Sequence, residues 1–276
     1  MRRFVNAVLL LSTVSLVACG TSSKKDVEEQ ITADRPVETI YNEAAEAMDT
    51  GSYKKSARLF NEVERQHPYS QWATQAQLMA AYGQYKAGSY DEAVISLERF
   101  IRLHPGHKDI DYAYYLRGLC SYDQITDVTR DQDMTREALE NFDTLLRLFP
   151  ESKYARDAKL KRDLTLDHMA GKEMDIGRYY LTRNYDTAAV RRFMTVVKDY
   201  QTTTHVPEAL HRLVEAYMHM GMFEEATRVA AVLGYNYPGS VWYEDSYKLL
   251  NAEQRQKLMD ERSFKDRTID ALLRPS

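Results

Sequence analysis

Apolar residues recur along this chain at helical spacing, in short runs separated by polar turns. Ala93, Leu97 and Phe100 lie at i, i+4 and i+7, and Pro105 ends their run. The same order of a small residue, an aromatic or Leu four later and a Pro twelve later recurs as Ser56-Phe60-Pro68, Ala93-Leu97-Pro105 and Ala138-Phe142-Pro150. Ala226, Ala230 and Pro238 form a further copy, and Ala189 with Phe193 another in which Gln201 replaces the proline. The stretches "GSYKKSARLFNEVERQHPYS" and "GSYDEAVISLERFIRLHPGH" are copies offset by 37 residues. A period of roughly 20 to 50 residues predicts a stacked array whose units cannot bury their apolar faces alone. Each unit reads as two helices joined at Gly51, Gly88 or Gly221, with Ala44 and Ala81 placed where the two can approach closely. The serines in Pro68-Tyr69-Ser70, Pro150-Glu151-Ser152 and Pro238-Gly239-Ser240 are offered as caps for the next helix.

Together these positions resemble the tetratricopeptide repeat, and the expected fold is all-α, a right-handed α-solenoid of five tetratricopeptide-like helix pairs. The spacing departs twice from the local period. Eight extra residues between Pro105 and Pro150 fall in "DQITDVTRDQDMTR". Its Asp127, Asp131 and Asp133 are spaced as in a calcium loop, but Gln132 stands where that loop needs Gly and Ala138 where it needs Glu, so a solvated loop is expected. Fourteen extra residues between Pro150 and Gln201 are close to four helical turns. They predict one long helix over residues 153–182, with Gly171 and Gly177 as weak points. The chain therefore divides into repeats one to three (36–152), repeats four and five (153–250) and a helical tail (251–276).

The formal net charge of −4, from 37 basic and 41 acidic residues without a polybasic stripe, argues against nucleic acid as a partner. The first residues carry a different pattern. Arg2 and Arg3 precede an apolar stretch from Phe4 to Val17, and Ala18 supplies the small residue a peptidase needs, which makes 1–18 a secretory signal peptide. Leu16-Val17-Ala18-Cys19 resembles the lipobox of bacterial lipoproteins. That resemblance implies a diacylated Cys19 and a polar tether over 19–35, on a membrane that the chain does not cross. Gly20 after the cysteine implies the outer membrane, facing the periplasm. Cys120 then stands alone, and in "LRGLCSY" it reads as a small buried residue.

Catalytic patterns are absent: there is no G-x-S-x-G, H-E-x-x-H, P-loop or G-x-G-x-x-G. His67 and His104 precede repeat prolines, and His211 with His219 lack a third metal ligand. Asp91-Glu92 and Glu224-Glu225 sit near the starts of second helices, where the helix dipole favours them. No enzyme activity, cofactor or metal is expected. Aromatic residues are more telling, since more than half of the twenty tyrosines fall between Tyr41 and Tyr154. The first-helix stripe that lines the ligand groove of tetratricopeptide proteins reads Tyr41 in repeat one, then Leu78, Tyr82 and Tyr85, then Tyr112, Tyr115, Leu119 and Tyr122. Such a stripe suits an extended peptide bearing aromatic side chains, or fills the interfaces between repeats. In repeat four Ala189, Phe193, Val196 and Val197 share one face, which turns Arg191 and Lys198 outward with Arg192 at the edge of a basic cluster.

The lipobox, the five repeats and the stretches "YYLRGLCSYDQI", "RDQDMTREALENFDTLLRLFPESKYARDAK" and "IGRYYLTRNYDTAAVRRFMTVVKDY" together resemble the BamD (ComL) family, lipoproteins of the β-barrel assembly machinery in Gram-negative outer membranes. The resemblance implies a scaffold that binds unfolded outer-membrane proteins and, beside other assembly lipoproteins, the periplasmic POTRA region of the barrel-forming insertase. It also assigns the basic cluster of Arg191, Arg192 and Lys198 to insertase docking. Gln201 and the tail from Asn251 depart from the family pattern. Other readings are a pilotin or cell-division coordinator on the same repeats, and a lytic enzyme, which would need an added catalytic domain.

Overall fold

A computed structural model describes residues 35–128, 130–259 and 267–273. Over these the chain is helical, without strands. Five antiparallel pairs follow one another: α1 (Val37–Asp49) with α2 (Tyr53–Gln66), α3 (Ala73–Lys86) with α4 (Tyr90–Leu103), α5 (Ile110–Tyr122) with α6 (Asp133–Leu148), α7 (Ala155–Leu181) with α8 (Asp186–Asp199), and α9 (Val206–His219) with α10 (Phe223–Asn236). Three shorter helices end the chain, α11 (Val241–Leu249), α12 (Ala252–Met259) and α13 (Ile269–Leu272). From α1 to α11 each helix packs on the next, and α12 and α13 pack back on α10. First helices also touch first helices, α3 on α5, α5 on α7 and α7 on α9, so they form the inner side of the solenoid.

The repeat signature is the core. Ser56, Ala93, Ala138, Ala189 and Ala226 are fully buried, as are Phe60, Leu97, Phe142, Phe193 and Ala230 four residues on. Each large apolar side chain so removed from water contributes roughly 1.5–3 kcal/mol. Ser56 is tolerated among alanines because its hydroxyl donates to the carbonyl of Ala44 at 2.7 Å, across the close approach of α1 and α2. Where a short turn joins two paired helices it needs a left-handed residue. Gly51, Gly88 and Gly221 supply it at φ of 75°, 75° and 72°, and Asn184 takes the same place in repeat four at 59°.

The lengthened helix is a single unbroken element, Ala155–Leu181, within the predicted 153–182. Its glycines correct the sequence reading, because neither interrupts the helix. Both are buried against neighbours, and a Cβ on Gly177 would lie 2.4 Å from Cε1 of Phe193, so the missing side chain is what lets α8 dock. The loop before α6 folds back on α7. Gln132 donates to the carbonyls of Val128 (3.3 Å) and Arg130 (3.1 Å), and its carbonyl oxygen meets Nδ1 of His168 at 3.2 Å. Asp131 accepts from the amide of Asp133, and Asp133 pairs with Arg136. The serine-cap expectation holds for Ser240, the N-cap of α11, which accepts from the amide of Trp242 at 3.2 Å, and Ser152 makes the same bond from the amide of Tyr154 at 3.1 Å. Ser70 and Ser152 lie two residues ahead of the N-cap positions of their helices, Trp72 and Tyr154.

Candidate functional site

Tyr82 and Tyr85 of α3 and Tyr112 and Tyr115 of α5 join with Tyr90 and Tyr154 into one ribbon on the inner side. Ring centroids step from Tyr90 to Tyr85 (5.9 Å), Tyr85 to Tyr82 (6.4 Å), Tyr82 to Tyr112 (6.4 Å) and Tyr112 to Tyr154 (5.1 Å). Tyr154 then stacks on Tyr115 at 4.9 Å with planes 14° apart. The rings are half-buried, and two of them are pinned by their hydroxyls. Tyr85 donates to Asp123 at 2.6 Å, and Tyr115 donates to Asp157, which Lys161 also holds at 2.7 Å. Burial, then these carboxylates, push the Tyr85 and Tyr115 phenols well above the ordinary tyrosine range. Burial likewise raises Tyr112. All three stay neutral, presenting apolar faces whose orientation is fixed in advance of any ligand.

Of the predicted stripe, Tyr82, Tyr85, Tyr112 and Tyr115 belong to this ribbon. Leu78 does not: it is only 2% exposed and packs in the core of repeats two and three between residues of α4 and α5, with Tyr82 and Tyr85 packed against that core. Tyr41 is held in the first repeat between Phe60 (5.2 Å) and Trp72 (4.7 Å). Leu119 packs at the boundary of two core clusters. Tyr122 meets Phe142 edge-on at 5.9 Å, beyond Tyr115 toward α7. Tyr154, Tyr90 and the anchoring Asp123 and Asp157 lie outside the predicted stripe. A signal for Tyr154 does exist, since Trp72, Tyr154 and Trp242 each stand four residues after a repeat proline. Each covers a first-helix ring of the preceding repeat, Trp72 on Tyr41, Tyr154 on Tyr115 and Trp242 on His211.

Past α7 the inner side changes character. Arg178 bridges Asp175 and Glu208, Arg212 bridges Glu208 (3.4 Å) and Glu215 (2.7 Å), and Glu215 lies 3.5 Å from His211. Nδ1 of His211 is 2.8 Å from the hydroxyl of Ser246 on α11. Burial is the largest influence on Glu215 and favours its neutral form, but His211 and Arg212 together outweigh it and hold the carboxyl down at about 2. This ladder of charges is satisfied from within.

A family model described as "YfiO: Outer membrane lipoprotein" matches residues 33–233. The chain belongs to this YfiO family. Among curated relatives, the "Outer membrane protein assembly factor BamD" of Caulobacter vibrioides is 45% identical over 250 residues, covering 91% of this chain and 81% of the relative. That of Rickettsia prowazekii is 46% identical over 244 residues, covering 88% and 96%, and that of Neisseria meningitidis serogroup A is 37% identical over 245 residues, covering 84% and 92%. YfiO relatives are assembly factors rather than enzymes. In this YfiO-family chain no helix among the described residues is long and apolar enough to cross a membrane. Cys19 and the signal peptide lie outside the described residues, as does the tether except for Arg35. Of the basic cluster, Arg191 and Lys198 are exposed on α8. Arg192 is not free: it reaches back to Glu173 on α7 at 3.0 Å, because its edge position faces the long helix.

Proposed function

We propose that this protein is a lipid-anchored scaffold of outer-membrane protein assembly, facing the periplasm, that holds extended client segments on the tyrosine ribbon of its first three repeats. The ribbon carries the reading. Six rings in successive contact, two of them oriented by carboxylates and all half-buried on the inner side, match an extended chain bearing aromatic and aliphatic side chains. The relatives' name, outer membrane protein assembly factor, supports that client class. Cys19 is the acylated N-terminus in this reading, and repeats four and five dock the POTRA region of the barrel-forming insertase. Titration of an extended, aromatic-bearing peptide against wild type and a Tyr85→Ala/Tyr115→Ala double variant tests the ribbon. A loss of about 2 kcal/mol or more, roughly thirtyfold in Kd, is expected at unchanged helicity. Equal affinities at equal helicity would assign the rings to the core. Mass measurement of the mature N-terminal peptide tests the anchor, and an unmodified Cys19 overturns it.

A further inference from the structure

Between the second helices of repeats one and two, α2 and α4, lies a groove of about 440 Å³ that reaches the end of α3. It is lined by groups of opposite charge. Lys54 and Arg58, one turn apart, stand on α2, and Glu92 stands on α4. All three are exposed, and none forms an ion pair among the described residues. Gln84, at the end of α3, also lines the groove, and its Oε1 is buried without a hydrogen-bond partner. We infer that this groove receives the phosphoethanolamine headgroup of a membrane lipid, its phosphate toward Lys54 and Arg58 and its ammonium toward Gln84 and Glu92. The membrane as the source of that headgroup rests on the lipid-anchored reading above.

Small side chains leave the room for it. Ala57 and Ala87 line the groove, and α3 comes so close to α2 there that a Cβ on Gly83 would lie 3.1 Å from Cβ of Ala57. The charges fix the chemistry of the occupant. A phosphate beside Lys54 and Arg58 meets two cations that nothing in the described chain neutralises, and a guanidinium can hold two of its oxygens at once. An ammonium brings three N–H donors, one for Oε1 of Gln84, whose burial without a donor is otherwise a net loss, and another for Glu92. An anion alone would leave Gln84 unsatisfied and stand against Glu92, whereas a cation alone would stand against Lys54 and Arg58. A zwitterion with its two charges a few bonds apart answers both sides. The bilayer is within reach, because Cys19 stands sixteen residues ahead of Arg35, up to roughly 55 Å of extended chain. The groove lies at the other end of the α1–α2 pair, only about 20 Å from Arg35 by the length of α1.

The test follows the rate at which an amine reagent labels Lys54 in the full mature chain, read by mass spectrometry, since an ammonium paired to phosphate reacts more slowly. Glycerophosphoethanolamine is titrated beside glycerophosphocholine, which keeps both charges but has no N–H to donate. The ethanolamine compound should protect Lys54 at about tenfold lower concentration than the choline compound. Gln84→Leu, which removes the acceptor with a side chain of similar size, should bring the two compounds toward equality. Arg58→Ala, at an exposed position that leaves the fold intact, should abolish protection by both. On vesicles, the acylated protein should show a protected Lys54 with phosphatidylethanolamine present and an unprotected one on phosphatidylcholine alone. Protection by neither compound, equal protection by both in wild type, or a preference that survives Gln84→Leu overturns the assignment of the headgroup. Protection by the soluble compound without protection on the vesicles overturns the membrane as its source, and an extended acidic peptide that protects Lys54 at lower concentration than either compound makes the groove a protein-docking site instead. The soluble titration needs no anchor, so its failure is distinct from that of the anchored reading, which falls on an unmodified Cys19.

Discussion

Cys120 is fully buried on α5, and burial, followed by the charge of Asp123, pushes its thiol up to about 12. Since the thiolate is the reacting species, the folded protein at pH 8 should be alkylated at least about a hundredfold more slowly than the protein in denaturant. Comparable rates in the two conditions would show that Cys120 reaches solvent in the native state. The two glycines of α7 offer a second test at the same scale. Gly177→Ala places its Cβ against the ring of Phe193 and should cost about 1–3 kcal/mol, as overpacking does. Gly171→Ala meets only the tip of His205 and the edge of Val128, and the gain in helix propensity of about 1 kcal/mol should offset that contact. Urea midpoints should therefore fall clearly for Gly177→Ala and stay at or above wild type for Gly171→Ala. Similar shifts would contradict the close packing of α7 on α8.

Within α9 the charge on Glu215 is maintained against burial by Arg212 and His211. Its folded pKa of about 2 lies below the ordinary carboxylate value, so its contribution to stability is complete above that ordinary value and is lost as pH falls through it toward 2. Glu215→Gln should cost about 1–3 kcal/mol at pH 7, and the gap between wild type and variant should narrow between about pH 4.5 and pH 2. A gap independent of pH would mean that the carboxylate is not held by its neighbours. The elements themselves are largely legible in the amino-acid pattern. The repeat prolines and small residues mark where second helices stop and where helices touch, and fourteen added residues preserve a helical face, so the bounds of α7 follow to within two residues. What periodicity does not reveal is depth of burial along one face. Leu78 and Tyr82 are one turn apart on one face of α3 and pack against the same core, yet Leu78 is buried in it and Tyr82 stays half-buried beside Tyr112. Tyr154 joins the ribbon from a turn that belongs to no stripe, and Gly177 reads as a weakness until Phe193 is seen against it.

Across the whole molecule the inner side is divided between two chemistries, open rings through repeat three and a closed ladder of ion pairs beyond α7. A ladder whose members all have partners gives a ligand little to bind, so any docking in repeats four and five falls to the outer side, where Arg191 and Lys198 project from α8. Arg192 must be separated from them. With its side chain 42% exposed and paired to Glu173, it ties α8 to α7, and Arg192→Glu would set two carboxylates together, so any loss of binding in that variant carries a packing effect with it. The informative variant is Arg191→Glu/Lys198→Glu, whose surface changes should leave stability within about 0.5 kcal/mol per site. If these cations pair with carboxylates that become desolvated at the insertase interface, the double reversal should weaken capture by about 2–5 kcal/mol at both low and high salt. If they sit at its rim, the loss should be confined to low salt, where steering of association dominates. Peptide binding to the ribbon should be unchanged in either case, because the reversed side chains lie on α8, outside the ribbon that runs from α3 to the start of α7. Pull-down of the insertase at two salt concentrations, alongside the peptide titration, distinguishes these outcomes. Full retention of the insertase at both salts would place its docking surface elsewhere on the solenoid.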